Sequence, residues 1–206
     1  MSPARASATR TRSRKATETR ERILAAVREL LAEGAFHYST VEHVADRAGV
    51  ARATLYHHFD SRLELVDAIC ETFAVNPALV RLRKAIEGRD PDVALAETIS
   101  NSVRFWSSED SILSQLYGVV ATDPAAANLV ERQRADRRGE LERLARRLHT
   151  AGRLQTGTTE RRAVALLLVL TSYETFRELR LAGLSDRELT RTLQETARQL
   201  LSSDAA

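Results

Sequence analysis

The sequence predicts an all-α fold, with an N-terminal three-helix domain followed by a larger helical body. Three observations carry this. Aromatic residues make up only 5% of the 206, and no stretch sustains the apolar/polar alternation of a strand. Ala, Leu, Arg and Glu, all helix formers, dominate the chain. Proline and glycine then cut it into pieces of helical length. A content of 43% hydrophobic and 29% charged residues is ordinary for a globular protein, in one large or two small domains. No apolar run reaches membrane-spanning length and the basic start lacks an apolar core, so the expectation is a cytoplasmic protein with no membrane association.

The first segment, residues 1–16, is expected to be a disordered basic arm. Arg5, Arg10, Arg12, Arg14 and Lys15 stand there with no acid and no periodic apolar residue. These five charges exceed the +3 of the whole chain, so the remainder is slightly acidic. Such an arm is a solubilising tail or, beside a DNA-reading domain, a strand of charge for phosphates or a minor groove. A domain over 17–65 follows. Its first helix runs from residue 17 or 18 to 33, with Ile23, Val27, Leu30 and Leu31 as its inner stripe and Gly34 as its stop.

The informative stretch is 40–65, TVEHVADRAGVARATLYHHFDSRLEL. Val41, Val44, Ala45 and Ala48 fall at i, i+3, i+4 and i+7, one narrow apolar face opposite Glu42, His43, Asp46 and Arg47. Thr40 can cap this helix. Gly49 accepts the left-handed turn that ends it, and Val50 plugs the angle to the next helix. That next helix, near 52–58, turns Leu55 and Phe59 inward. It leaves Arg52, Thr54, Tyr56, His57 and His58 outward, a set of donors suited to phosphate oxygens and base edges rather than a plain solvent face. Ser61 with Glu64 then forms a capping box for a helix whose N-terminus can seat a phosphate.

These residues resemble the DNA-binding domain of TetR-type transcriptional regulators over about 20–66. The resemblance rests on Ala26, Leu30 and Gly34, on Phe36, on TVxxVAxxAGV from Thr40 and on TLYxHFxSRxEL from Thr54. Ala51 replaces the usual capping Ser and Arg62 the usual Lys. The resemblance implies a helix-turn-helix reading double-stranded DNA at a palindromic operator, with Thr40, Arg52, Thr54, Tyr56, His57 and Arg62 as the contact residues.

Beyond residue 65 the body, 66–206, is expected to bind an effector and to dimerise. The helix from Ser61 should reach about Val75 as a connector, and Pro77, Pro91 and Pro124 mark later joints. Helices are expected at 78–87, 91–107, 109–121, 124–149, 159–182 and 186–202. The arginine-rich segment 131–147 carries seven Arg against four acids. The spacing of Glu140 with Arg143 and Glu142 with Arg146 favours a solvated, ion-paired face over a second nucleic-acid patch. The run AVALLLVL at 163–170 is apolar all round. With a stripe of Leu189, Leu193, Ala197, Leu200 and Leu201 it predicts a homodimer through a four-helix bundle, with Leu167, Leu189, Leu193, Ala197 and Leu200 at the interface. Phe105, Trp106, Tyr117, Tyr173 and Phe176 lie on different predicted helices and are either core or the wall of a pocket for a small-molecule effector. Ligand-responsive repressors of the resembled family make the pocket the working expectation, without naming the ligand.

No catalytic set is visible. His37, His43, His57, His58 and His149 form no zinc spacing, and there is no phosphate-cradling glycine loop or nucleophile elbow. No cofactor and no metal are expected. Cys70, the single cysteine, reads as a small core residue rather than a redox switch. The expected function is a dimeric, sequence-specific repressor released by an effector. An activator, a ligand-independent regulator and a non-specific architectural protein share the same DNA residues.

Overall fold

The computed structural model describes the backbone of residues 3–122 and 124–202 and the side chains within them apart from residues 3–12, 120–122, 124, 125 and 127. Among the described residues there are ten α-helices, one 3-10 turn at Phe36–Tyr38 and no strand. An isolated antiparallel bridge joins Leu154 to Ser202. Among the same residues no helix is long and apolar enough to cross a membrane.

The chain forms two compact units, Met1–Thr72 with Ser111–Leu129, and Phe73–Asp110 with Val130–Ala206. In the first unit, α1 is Pro3–Ala32, α2 Val41–Ala48, α3 Arg52–His58 and α4 Arg62–Phe73. Ile23, Val27, Leu30 and Leu31 of α1 are buried with Val44 and Ala45 of α2, Leu55 of α3, Phe59, and Leu65 and Ile69 of α4. Burying this many large apolar side chains is the main stabilising contribution. The Arg28 guanidinium of α1 donates to Thr72 Oγ1 at 3.1 Å, so α4 is held in this unit almost to its end. A boundary at residue 65 therefore falls too early.

α1 also begins earlier than expected. Residues 3–16, predicted as a disordered arm, are the first turns of α1. Ala and Arg are strong helix formers, Pro3 suits a first helical position, and adding turns to a helix already anchored by packing avoids nucleation. The side chains of Arg5, Arg10 and Arg12, and with them most of the expected contact of this segment with DNA, lie outside the described residues.

The second unit is built from α5 Pro77–Ile86, the first part of α6 Pro91–Thr122, most of α7 Pro124–Thr150, α8 Glu160–Leu170, α9 Tyr173–Leu181 and α10 Asp186–Leu201. Asn76 caps α5 by accepting from the Ala78 N–H at 2.9 Å. Ser185 and Glu188 close a reciprocal capping box on α10. Two expected boundaries move. α6 runs unbroken through residue 108, since no Gly or Pro stands there and Ser108 Oγ bonds back to the Phe105 carbonyl at 2.9 Å. The helix expected over 159–182 breaks at Thr171, because Ser172 caps a new helix by accepting from the Thr175 N–H at 3.0 Å. Cys70 is buried.

The expected interface residues are mostly covered within the chain itself. Leu167, Leu189, Leu193 and Ala197 are buried within one chain, where α8 and α10 pack against each other. A single subunit covers this stripe, because four successive i+4 positions of α10 face α8 directly. On α8, α9 and α10 the large apolar side chains left outside are Val169 at 61% exposure, Leu181 at 73% and Leu200 at 43%, and Val75, Val80 and Val93 are exposed elsewhere in the unit. Of the five expected residues, Leu200 alone offers substantial surface.

Candidate nucleic-acid interface

The reading surface starts at the end of α1. Gly34 takes a positive φ of 71°, and the 3-10 turn that follows buries Phe36. Thr40 caps α2, its Oγ1 accepting from the His43 N–H at 3.2 Å. Gly49, at φ 63°, ends α2 in the left-handed conformation that a side chain would strain. Ala51 offers α3 no side-chain cap. The helix forms nonetheless, since the Ala51 carbonyl accepts from Thr54 at 2.9 Å and Leu55 at 3.1 Å, and buried Leu55 and Phe59 anchor both ends of the turn. The Arg20 guanidinium of α1 lies 5.0 Å from the Phe59 ring centre.

Arg52, Tyr56 and His57 are exposed on α3, and Thr54 is half-buried beside them. Arg52 does not wave freely. Its Nη2 pairs with Glu42 Oε1 of α2 at 2.8 Å, and its guanidinium lies 5.5 Å from the Tyr56 ring centre. The Glu42 carboxyl is held below its ordinary range first by its own backbone N–H, then by the Thr40 hydroxyl and the Arg52 charge. Arg52 is raised by its bond with Tyr56 and by Glu42. Thr40, Glu42, Arg52 and Tyr56 thus make one connected polar array across two helices.

Arg62 does not belong to it. Its guanidinium donates to the Ser39 carbonyl at 2.7 Å and to the Phe36 carbonyl, and lies 4.3 Å from the Phe36 ring centre. Burial pushes its pKa down. The planar fork bridges two backbone carbonyls, which the lysine common at this position cannot do in the same way, and these bonds are a structural role beside the expected phosphate contact. The N-terminus of α4 is also partly occupied. Ser61 Oγ accepts from the Glu64 N–H at 3.2 Å and the Glu64 carboxylate accepts from the Asp60 N–H at 2.6 Å. Tyr38, 86% exposed two residues before Thr40, is an aromatic on this flank that periodicity does not single out.

His58, half-buried at the end of α3, has its pKa lowered from 6.5 chiefly by burial, then by His57 and Arg20. The unfolded chain therefore binds the proton more readily than the folded one. This contribution to stability is complete above about pH 6.5 and is lost as pH falls from there toward the folded-state pKa. A His58→Gln variant is expected to show a flatter dependence of Tm on pH between 7 and 5 than the parent, read by circular dichroism.

In the second unit, Phe105, Trp106, Tyr173 and Phe176 do come together, with successive ring centres 4.7, 5.5 and 6.1 Å apart. Phe73, the last residue of α4, joins them edge-on to Phe105 at 5.6 Å. Trp106 Nε1 donates to the Thr171 carbonyl at 2.9 Å, and the Tyr173 hydroxyl donates to Asp110 Oδ1 at 2.6 Å. Tyr117 lies on the part of α6 that belongs to the first unit. The rings fill their space against one another as core. A groove of about 560 Å³ opens elsewhere in the unit, lined by polar α7 residues such as Arg134 and Arg138 together with Leu168 and Glu174. The segment 131–147 is largely exposed, and its ion partners include residues of other helices: Arg83 meets Glu140 at 3.7 Å and Arg146 meets Glu160 at 4.0 Å.

Residues 23–69 match the family described as bacterial regulatory proteins, tetR family. Over 73 residues the chain is 40% identical to the HTH-type transcriptional regulator UidR of Escherichia coli K12, which covers 35% of this chain and 37% of that protein. Over 44 residues it is 46% identical to the HTH-type transcriptional repressor KstR2 of Rhodococcus jostii RHA1, 21% of this chain and 22% of that one. The chain thus spans well under half the length of the curated relatives it matches. Along most of the chain the fold is shared with Salmonella enterica GusR, at a TM-score of 0.70 and 24% identity over 89% of this chain and 95% of that one.

Proposed function

We propose that this chain, whose residues 23–69 are a helix-turn-helix domain of the TetR family, is a sequence-specific DNA-binding transcriptional regulator that acts as a homodimeric repressor released by a small-molecule effector. The observation that carries this is the exposed array of α2 and α3. Thr40, Arg52, Thr54, Tyr56 and His57 present hydrogen-bond donors on a short helix braced by a buried core, the arrangement a major groove accepts. Repression is supported by a relative named as a repressor.

Dimerisation is supported by apolar side chains that one subunit leaves open on α8, α9 and α10, Val169, Leu181 and Leu200. A second copy covering them presents two recognition helices to half-sites about one helical turn, roughly 34–36 Å, apart on a palindrome. The effector acts in the second unit, where Phe73 ends α4 against the aromatic cluster. A ligand that separates these rings displaces α4 and so changes the spacing of the recognition helices, the differential affinity that release requires. The protein works in the cytoplasm, with DNA as its partner and no catalytic step.

The test is selection of bound genomic fragments by purified protein, with competition by non-specific DNA at fixed salt. A palindromic site bound roughly a thousandfold better than bulk DNA is expected. Arg52→Ala and Tyr56→Phe should each weaken that site by about 1–3 kcal/mol if they touch base edges. Uniform, salt-dependent binding without a palindrome would replace the proposal by an architectural role.

A further inference from the structure

We infer that Glu42 is a positioning residue for base recognition: its carboxylate fixes the Arg52 guanidinium against Tyr56, so that Arg52 meets a guanine in the operator half-site. The inference rests on the DNA-binding proposal above and adds to it the identity of one base.

The geometry argues as follows. An arginine fork has five N–H donors, and the 2.8 Å pair with Glu42 Oε1 engages Nη2. Tyr56 takes a further donor, and the side chain stays 63% exposed, which leaves donors of the fork to meet the O6 and N7 acceptors of guanine. Tyr56, 5.5 Å away, closes off one face of the guanidinium and restricts its rotation. Arginine held on two sides has far fewer orientations than a free surface arginine, which pairs with phosphates at almost any sequence. Glu42 itself stands in the first turn of α2, where backbone N–H groups and Thr40 keep it ionised. A carboxylate on a surface that approaches phosphates weakens binding to any DNA. Beside the reading arginine it sacrifices general affinity for discrimination, and it can also accept from the N4 amino group of a cytosine.

The test is selection from a randomised duplex library with the full chain and with Glu42→Gln, Glu42→Ala and Arg52→Ala, all checked for unchanged helicity. The parent should enrich guanine at one half-site position at least about tenfold, a preference that Arg52→Ala abolishes. Both Glu42 variants should reduce that preference to about threefold or less while binding non-specific DNA more tightly than the parent does. Retention of the full guanine preference by both Glu42 variants, or a preferred base at the Arg52-dependent position other than guanine, overturns the inference and leaves the DNA-binding proposal standing. A parent protein with no sequence preference at any position overturns the DNA-reading proposal itself.

Discussion

Replacing Arg62 by Met is expected to lower the unfolding free energy by about 3 kcal/mol, the scale of two charge-assisted hydrogen bonds to backbone carbonyls in a partly buried site. The carbonyls of Phe36 and Ser39 would lose their donor, and the Phe36 ring would lose the cation over its face. Arg62→Lys should recover only part of the loss, because an ammonium is a point charge that does not span both carbonyls from one plane. Urea unfolding followed by circular dichroism measures the effect. Unchanged stability in the Met variant would show that these bonds contribute nothing to the fold, and a loss of DNA affinity beyond that of Arg62→Lys would add a phosphate contact to the structural role.

A loss of about 2–5 kcal/mol is expected for Leu193→Ala, the range for truncating a buried leucine. Leu193 sits in the buried stripe of α10 between Leu189 and Ala197, against α8 of the same chain. The variant should unfold at lower denaturant while the folded fraction keeps the parent's oligomeric state. Paired substitution of Val169 by Asp and Leu200 by Glu should do the reverse, leaving the helicity of the single chain and shifting sedimentation at micromolar concentration toward the monomer. Dissociation by Leu193→Ala with unchanged helicity would restore the interface to the α10 stripe.

The sequence was most legible where a side chain's role is set by its neighbours along the chain. The i, i+3, i+4, i+7 spacing of Val41, Val44, Ala45 and Ala48, the cap at Thr40 and the turn at Gly49 are local facts, and α2 and α3 lie within a residue or so of where that spacing puts them. Periodicity also finds the stripe of α10 but says nothing of what faces it, and so a buried seam within one chain reads the same as a seam between two. Arg62 illustrates a second limit. Its partners stand 23 and 26 residues away, so a positive charge beside a recognition helix reads only as a phosphate contact, and its bonds to those carbonyls are invisible in the sequence. Thr171 is a third case: helix-forming residues surround it, yet Ser172 restarts the helix by capping Thr175. The link between Glu42 and Arg52 crosses from one helix to another, so the sequence marks both as outward-facing and leaves their pairing unseen.

The ion pairs of the first unit bear on how DNA affinity responds to ionic strength. Arg47 is held by Glu33 at 2.8 Å and Glu29 at 3.6 Å, Arg52 by Glu42, and Arg20 approaches Glu71 at 3.7 Å. A guanidinium that already carries an internal carboxylate adds little net charge toward a phosphate and so displaces few condensed sodium or potassium ions from the duplex. The slope of log affinity against log salt should accordingly be shallower than the number of arginines on this unit implies, and discrimination between operator and bulk DNA should persist as salt rises.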